Sequence, residues 1–362
     1  MDFNEKDAEA KPNVTLSDVA AAARVSKATA SNAFSRPERV RPALRARVAE
    51  AATALGYAGP DPLGRLLNSG KVNAIGVVAP AAFGISLFFK NTWTQTFLSG
   101  VAEVCEERGV GVSLVSGRDD QVGWGIESAI VDGLIVSSTE QAEFIAPTRR
   151  RIPIVVFGGA PAGVSSVRAA DRDGARTLTE YLLGLGHRRF VVGSLLREFR
   201  APAFHAPGAQ RTLVAPLVDG QDRVDGVADA LAAAGLSLDA MPLVEACGTS
   251  AEERKFGNGA DLLLDHIGDA TAVIALGDSL ALAVLAKARK RGLTVPGDFS
   301  LVGFDGIPES ALSDPPLTTM ANPIAEIGAT AARLLLDGGE PRHVVLNGKL
   351  VVRGSAAKPA KR

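Results

Sequence analysis

The sequence predicts an all-α N-terminal segment followed by an α/β body of two Rossmann-like lobes. Residues 14–55 hold three short stretches with helical spacing of apolar residues. From residue 71 onward, continuous apolar runs alternate with amphipathic stretches, a pattern typical of parallel sheets covered on both faces. At 362 residues, 46% of them hydrophobic, the chain is too long for one ordinary domain, so we expect several lobes around a large core.

The first helix is predicted to begin after Thr15. The Thr15 hydroxyl can accept from the backbone amide of Asp18, and the Asp18 carboxylate can accept from the Thr15 amide, which is a capping box. The apolar residues that follow recur at helical spacing and form one face: Leu16, Val19, Ala20 and Ala23.

Two further helices follow. Arg24 and Val25 form a turn, and Ser26 is a good N-cap for a second helix that ends near Phe34. Ala30 and Ala33 are its inward positions, small enough for two helices to cross closely. A third helix is predicted from Pro42 to Leu55, ended by Gly56. Its inward residues are predicted to be Leu44, Val48, Ala51, Ala52 and Leu55.

Charge favours a DNA-binding role for this segment. Between residues 11 and 71 there are ten Lys and Arg against four Asp and Glu, a net +6 in a chain of net −1. A basic segment on an acidic body is the electrostatic pattern of a phosphate binder. The second helix would enter the major groove as the recognition helix of a helix-turn-helix, presenting Lys27, Ala28, Thr29 and Asn32. The alternative is a generic small domain of three amphipathic helices.

Composition excludes several classes of protein. The two cysteines, Cys105 and Cys247, are too far apart in sequence to indicate a disulfide framework or a metal cluster. The polar N-terminus does not resemble a signal peptide, and no apolar run approaches the length of a membrane span. We therefore expect a cytoplasmic protein without membrane contact, with disordered tails at residues 1–13 and 355–362. There is no phosphate-binding loop, nucleophile elbow or metal-ligand spacing, so neither an enzyme nor a cofactor is expected.

The predicted strands and helices of the body alternate along the chain. Strands are predicted at 74–79, 111–115, 133–136, 154–157, 189–192, 271–276 and 300–304, and helices at 96–108, 174–185, 222–234 and 279–291. These strands are too many for one modest sheet. Two lobes with a ligand cleft between them are therefore expected.

The N-terminal segment resembles the headpiece of the LacI/GalR (lactose-repressor type) family of bacterial transcription regulators. The matching positions are Thr15, Asp18, Val19, Ala20, Ala23, Val25, Ser26, Thr29 and Ser31. The resemblance implies that Lys27, Ala28 and Asn32 read bases. It also implies a hinge at Asp61–Leu67, whose last leucine wedges into the minor groove at the operator centre. The expected DNA-binding residues are Thr15, Ser26, Lys27, Ala28, Thr29, Ser31, Asn32, Arg65, Leu66 and Leu67.

The hinge departs from the family pattern. Gly64 replaces a usual alanine, which weakens a hinge helix by about 1 kcal/mol. The linker after Tyr57 is one residue longer than the commonest form, so the wedge is either Leu66 or Leu67. We expect this hinge to fold fully only on DNA.

The resemblance extends through the body and implies a type I periplasmic-binding-protein-like fold, in which the chain crosses between the lobes three times. The matching blocks are AIGVV (74–78), VDGLIV (131–136), DRDGAR (171–176), LGHRR (185–189), RVDGVADAL (223–231), ALGDSLALAVL (275–285), RGLTVPGDFSLVGFDG (291–306) and DPPLTTM (314–320). The predicted domains are a helix-turn-helix at 14–60, a hinge at 61–70 and an effector-binding and dimerisation domain at 71–354.

The family alignment also suggests effector-binding residues. Asp305 follows a strand, Arg223 opens an R-x-x-G block, and Asp278 begins a helix, where it either contacts ligand or only caps the helix. Phe89, Asn91 and Trp93 are a wall of the ligand site or, alternatively, a packing cluster at a helix start. Thr139 is a further lining candidate.

Three polar groups common in relatives are absent, since Gly158, Gly277 and Ala170 stand in their places. The cleft is thus expected to hold a ligand less rich in hydroxyls than a simple sugar, or no small molecule. A long loop rich in proline and alanine is predicted at 197–220, where it would flank the cleft mouth.

The predicted function is that of a transcriptional repressor. A homodimer would bind a pseudo-palindromic DNA operator and respond to a small molecule, by default a sugar or sugar derivative, in the inter-lobe cleft. The alternative is a solute-binding protein with the same body fold and no gene-regulatory role.

Overall fold

The computed structural model describes residues 14–59, 70–80, 84–117, 125–137, 152–159, 161–195, 201–209, 218–246 and 259–360. The chain divides into two compact units, one up to Val72 (the headpiece) and one from Asn73 onward (the body). Predictions for both extreme termini, for Thr139, for the hinge residues Arg65, Leu66 and Leu67, and for much of 197–220 lie outside the described residues.

The headpiece contains the three predicted helices, α1 (Leu16–Ala22), α2 (Lys27–Ser35) and α3 (Pro42–Leu55), with a 3-10 turn at Pro37–Arg39. The capping box at Thr15 and Asp18 forms as predicted. Ser26 caps α2 by accepting a hydrogen bond from the Thr29 amide at 3.1 Å. Local chemistry therefore sets where α1 and α2 begin.

A small apolar core holds the three helices together. Its fully buried members come from all three helices and the segments that join them: Val19, Ala20, Ala23, Ala30, Val40, Val48 and Ala52. The prediction that Leu55 faces inward is wrong, because Leu55 lies at the end of α3 and is 39% exposed. Phe34 and Tyr57 instead close this end with an edge-to-face ring contact at 5.7 Å.

Arg24 adopts a left-handed backbone in the turn between α1 and α2, with φ of 50°. A side chain in that conformation costs about 1 kcal/mol, which glycine avoids. We expect Arg24→Gly to stabilise the headpiece by up to about 1 kcal/mol, measured by hydrogen exchange of α1 and α2 amides.

The matched control is Gly56→Ala, because Gly56 ends α3 with φ of 68° and open space around it. Here the added side chain should destabilise α3 by about 1 kcal/mol. Equal and same-signed effects at the two positions would contradict backbone strain as the cause.

The body alternates strands and helices. In chain order its elements are β1 (Ala74–Ala79), α4 (Gly84–Lys90), α5 (Thr92–Arg108), β2 (Gly111–Ser116), β3 (Leu134–Val136), β4 (Ile154–Phe157), β5 (Ser165–Ala169), α6 (Asp171–Leu185), β6 (Phe190–Leu195), β7 (Ala203–His205), α7 (Val218–Ala233), β8 (Leu243–Ala246), α8 (Gly259–Asp265), β9 (Ala272–Ala275), α9 (Asp278–Lys290), β10 (Ser300–Asp305), α10 (Pro308–Leu312), β11 (Thr318–Ala321), α11 (Ile324–Asp337), β12 (His343–Leu346) and β13 (Lys349–Val351).

Two sheets confirm the predicted pair of α/β lobes. Lobe 1 has six parallel strands in the order β12-β5-β4-β3-β1-β2. Lobe 2 has seven strands in the order β13-β11-β10-β9-β6-β8-β7, of which only the two edge strands, β13 and β7, are antiparallel to their neighbours. The central strands are buried on both faces, which explains their continuous apolar sequences.

The chain crosses between the lobes three times, as expected. It passes from β5 to α6 at Ala170, from β11 to α11 at residues 322–323, and from β12 to β13 at residues 347–348. The first and third crossings are joined, because the Ala170 amide donates to the Leu346 carbonyl at 2.9 Å.

Helices α5 and α11 cross in lobe 1 at nearly bare backbone. A Cβ on Gly100 of α5 would lie 1.8 Å from the Ala325 carbonyl oxygen, and one on Gly328 of α11 would lie 2.1 Å from the Phe97 carbonyl oxygen. Glycine on both helices is what allows Phe97, Val101 and Ile327 to share one core.

Two predictions of irregular structure are corrected. The predicted 197–220 loop contains strand β7 and the start of α7, because β7 pairs with β8 at the open edge of lobe 2. The predicted disordered tail is ordered from 355 to 360. Ser355 is fully buried, where its hydroxyl donates to the Leu301 carbonyl and accepts from the Thr318 amide. None of the helices in the described ranges combines the length and apolar character that a membrane span requires.

Candidate functional site

The headpiece presents the N-terminal end of α2 to solvent. Lys27 and Ala28 are exposed, while Thr29, Ser31 and Asn32 are half-buried. Thr15 and Ser26 are exposed capping residues, and the Ser26 hydroxyl also contacts the Thr29 hydroxyl at 2.8 Å. The structure thus brings the predicted readers to one accessible helix end, the part of a recognition helix that contacts base edges.

In the body, Arg223 is the centre of a buried polar cluster at the carboxyl edge of the lobe 2 sheet. Its Nε donates to Asp171 Oδ1 at 2.7 Å, its Nη2 to Asp305 Oδ1 at 2.8 Å and its Nη1 to the Leu276 carbonyl at 2.9 Å. Its guanidinium carbon lies 4.1 Å from the centre of the Phe304 ring. The predicted Arg223 and Asp305 therefore come together, as a charge-paired and stacked group.

Asp305 is held in a strained conformation. Its φ is 107°, a region that side chains other than glycine rarely adopt, and its carbonyl accepts from the Asn322 amide at 3.0 Å. Burial raises its pKa to about 6, although Arg223 opposes that rise. Strain maintained by surrounding contacts is common where a residue has a functional task.

Asp278 serves a structural role, which corrects its place among the effector-binding residues. Its side chain is fully buried, with Oδ2 accepting from the Ile307 amide at 2.9 Å and Oδ1 from the Thr319 hydroxyl at 2.6 Å. Burial, followed by the negative charge of Asp305, raises the pKa of Asp278 to about 7. It fastens the start of α9 to the segment after β10, leaving no surface for a ligand.

The raised pKa predicts a pH-dependent stability. A carboxyl that binds its proton more tightly in the folded protein than in the unfolded chain favours folding at low pH, and this contribution is lost as pH rises towards 7. We expect wild type to lose on the order of 3 kcal/mol relative to Asp278→Asn between about pH 4 and 7.

Urea titrations of both proteins across this range measure the difference. Asparagine keeps an oxygen for the Ile307 amide and supplies an NH₂ group to the Thr319 hydroxyl, so the variant should fold. Because the other titrating groups are common to both proteins, a stability difference that is constant with pH would refute the raised pKa.

The aromatic residues favour the packing alternative over a ligand wall. Trp93 is half-buried and stacks on Phe97 at 5.6 Å and on Phe157 at 5.9 Å. The Asn91 side chain caps α5 by accepting from the Thr94 amide. Phe89 alone of the three is well exposed, at 57%.

The prediction omitted two polar residues of the cluster. Asp171 is buried beside Arg223 at the first crossing, and Asn322 at the second crossing donates to the same carboxylate oxygen at 3.4 Å. The available signal was position, since Asp171 opens a helix directly after a strand. No three His, Cys, Asp or Glu side chains within the described ranges converge as metal ligands.

Comparison with known proteins decides the family. The family model described as "Bacterial regulatory proteins, lacI family" matches residues 15–59, and a "Periplasmic binding protein-like domain" matches residues 179–356. An HTH-type transcriptional regulator of Mycobacterium tuberculosis is 38% identical over 96% of this chain and 98% of its own length. The chain belongs to the LacI family.

Other LacI-family relatives agree in function and fold. The transcriptional repressor CytR of Escherichia coli is 28% identical, covering 94% of this chain and 96% of CytR. The solved complex of the regulator CelR with cellobiose is 26% identical, with a TM-score of 0.65 over 95% of this chain and all of that one. A lac repressor dimer bound to operator, at 21% identity, shares the fold with a TM-score of 0.73 over 96% of this chain and all of that one.

This LacI-family chain is therefore a DNA-binding transcriptional regulator of the ligand-controlled type. The headpiece match decides against the alternative of a solute-binding protein, because that alternative shares only the body.

Proposed function

We propose that the protein is a homodimeric repressor whose headpieces read a pseudo-palindromic operator through α2. The exposed N-terminal end of α2, on a headpiece of net charge +6, carries this proposal. Lys27 would donate to guanine or phosphate, Asn32 would pair with adenine, and Ala28 would contact a thymine methyl group. Leu66 or Leu67 would wedge into the minor groove from each subunit, with Arg65 beside it on the DNA.

The effector is proposed to bind between the lobes, against the cluster of Arg223 and Asp305. This location is supported by the strained, half-paired Asp305 carboxylate at the carboxyl edge of the sheet, where ligands of open α/β sheets bind. Cellobiose in the CelR complex favours a sugar as the ligand class. Phe89 and Thr139 remain candidates for contacts from lobe 1.

Regulation would follow from the three crossings. Ligand contact with lobe 2 shifts the lobes about residues 170, 322–323 and 347–348, and the dimer transmits this shift to the hinge segments. A coupling of about 1–3 kcal/mol is enough for about 5- to 150-fold control of operator affinity. The protein would act in the cytoplasm, on nucleoid DNA, without catalysing any reaction.

The test begins with selection of operator DNA from a random-sequence library by the full-length protein. Fluorescence anisotropy on the selected duplex should then show about a 5- to 150-fold loss of affinity for Lys27→Ala and for Asn32→Ala, with relaxed preference at one base position each. Affinity should also fall steeply with salt concentration. Lys349→Ala, which removes a lysine from the body, is the matched control and should leave affinity unchanged.

A selection that yields no enriched sequence would refute the proposed function. Unchanged affinity of both headpiece variants would refute the assignment of α2 as the reader. A nearly flat salt response would exclude the basic headpiece as the binding surface.

A further inference from the structure

A second group of buried polar side chains lies at the carboxyl edge of the lobe 2 sheet, beside the Arg223 cluster. Ser194 ends β6 and Glu245 ends β8, each with 1% exposure. The two residues are direct partners in the parallel ladder between these strands. Their backbones are therefore about 4.8 Å apart.

Both side chains project from the same face of the sheet. Phe190 and Val192 of β6 pack against α6 and α7, and Ser194 follows them at the period of two that places alternate residues on one face. Leu243 places Glu245 on this face by the same rule. His205 of β7 joins them, because its Nε2 lies 2.8 Å from Glu245 Oε2.

The Ser194 hydroxyl is the anomaly in this group. Its oxygen is buried, and it has no hydrogen-bond partner among the residues that the structure describes. A buried hydroxyl without a partner costs about 1–3 kcal/mol, so most are paired in folded proteins. A group kept at that cost beside a ligand cleft indicates a partner that arrives with the ligand.

The strand order places this group in line with the Arg223 cluster. From β8 the sheet runs through β6 and β9 to β10, so Glu245, Ser194, Leu276 and Asp305 follow one another along one edge. Ser194 and Glu245 are two and three strand spacings from Asp305, about 10 and 14 Å. That span exceeds one furanose or pyranose ring and matches two linked rings.

Charge along this edge defines the chemistry of the ligand. Two carboxylates, Asp171 and Asp305, already balance the Arg223 guanidinium, and Glu245 adds a third acidic group. An anionic ligand such as a sugar phosphate would meet these carboxylates without a cation left to balance it. Hydroxyl groups can donate to carboxylate oxygens and can both donate to and accept from serine.

We propose that Ser194 and Glu245, with His205 behind them, form a second subsite that binds the outer ring of an uncharged two-ring sugar, a disaccharide or glycoside. This inference rests on the proposed inter-lobe effector site. It corrects the expectation of a hydroxyl-poor ligand, because buried acceptors here replace the polar groups absent at Gly158, Gly277 and Ala170.

The experiment is isothermal titration of the full-length protein with cellobiose, maltose, lactose and trehalose, and with glucose and galactose. At least one disaccharide should bind more than about tenfold tighter than its component monosaccharides. Ser194→Ala should weaken that disaccharide about five- to tenfold and leave monosaccharide affinity unchanged. The same variant should raise the Tm of the ligand-free protein by about 2 °C, because it removes an unpaired buried hydroxyl.

Ser300→Ala is the matched control. Ser300 is a buried serine at the opposite end of the same sheet, with its hydroxyl paired to the Ala357 carbonyl and amide at 3.0 Å. This variant should lower the Tm and leave sugar affinity unchanged. Glu245→Gln should weaken the disaccharide about tenfold while keeping an oxygen for His205.

A lowered Tm with unchanged affinity in Ser194→Ala would show a structural serine and overturn the proposal. Disaccharides that bind no better than monosaccharides, or no binding by any of these sugars, would overturn it as well. Operator selection is measured without sugar, so the proposed DNA-binding function stands or fails separately.

Discussion

Replacement of Arg223 by methionine should lower the free energy of unfolding of the body by about 3–5 kcal/mol, because it leaves two buried carboxylates without their cation. The Asp171 and Asp305 side chains are only 3% and 13% exposed, and both accept from this one guanidinium. Methionine retains apolar contact with Phe304, so the loss reports charge rather than packing. Urea unfolding monitored by circular dichroism measures it.

Arg172→Met provides the control on the neighbouring turn of α6. Arg172 pairs with Asp229 at 2.7 Å, but both side chains are largely exposed, so little change in stability is expected. Adding Asp171→Asn and Asp305→Asn to Arg223→Met should recover part of the stability, as expected for interacting residues. A loss no larger than that of Arg172→Met would show that the buried cluster is not electrostatically coupled.

Alanine at Gly100 should destabilise lobe 1 by about 3 kcal/mol, the upper part of the range for overpacking. The new Cβ would lie 1.8 Å from the Ala325 carbonyl oxygen, so α5 and α11 must separate. Separation also loosens the contacts of Phe97 and Val101 with Ile327. Thermal and urea unfolding of the full chain measure the effect.

Gly184→Ala is the control for the same substitution in a helix without a close neighbour. No atom lies within 4 Å of a Cβ built on Gly184 of α6, so the higher helix propensity of alanine should stabilise by up to about 1 kcal/mol. If Gly100→Ala were as well tolerated as Gly184→Ala, the close crossing of α5 and α11 would be disproved.

Prediction from sequence succeeded where short-range chemistry sets the structure. The capping box of Thr15 and Asp18 and the N-cap at Ser26 involve residues three apart, so their pattern is readable in the chain itself. The buried parallel strands were found because continuous apolar runs have few other uses. The helix Ile324–Asp337 and the edge strands β7, β12 and β13 were not predicted, since edge strands carry polar residues and their formation depends on a neighbour.

The site separated in the same way. Arg223 and Asp305 were identified because they sit in family blocks next to regular elements. Asp278 stands in such a block too, yet the fold buries it against Ile307 and Thr319. Position in a motif thus located a residue near the cleft without showing whether its side chain faces ligand or protein.

The sequence by itself determined the headpiece helices with their caps, the α/β character of the body and membership of the LacI family, because these depend on local spacing and composition. Only the tertiary structure decided which charges meet. Arg223 pairs with Asp171, 52 residues away, and with Asp305, 82 residues away, because strand order brings these positions to one sheet edge. The packing of Ser355 against Leu301 and the placing of Ser194 opposite Glu245 have the same origin. A hydrogen bond between distant residues depends on the register of strands between them, and that register is a property of the folded chain.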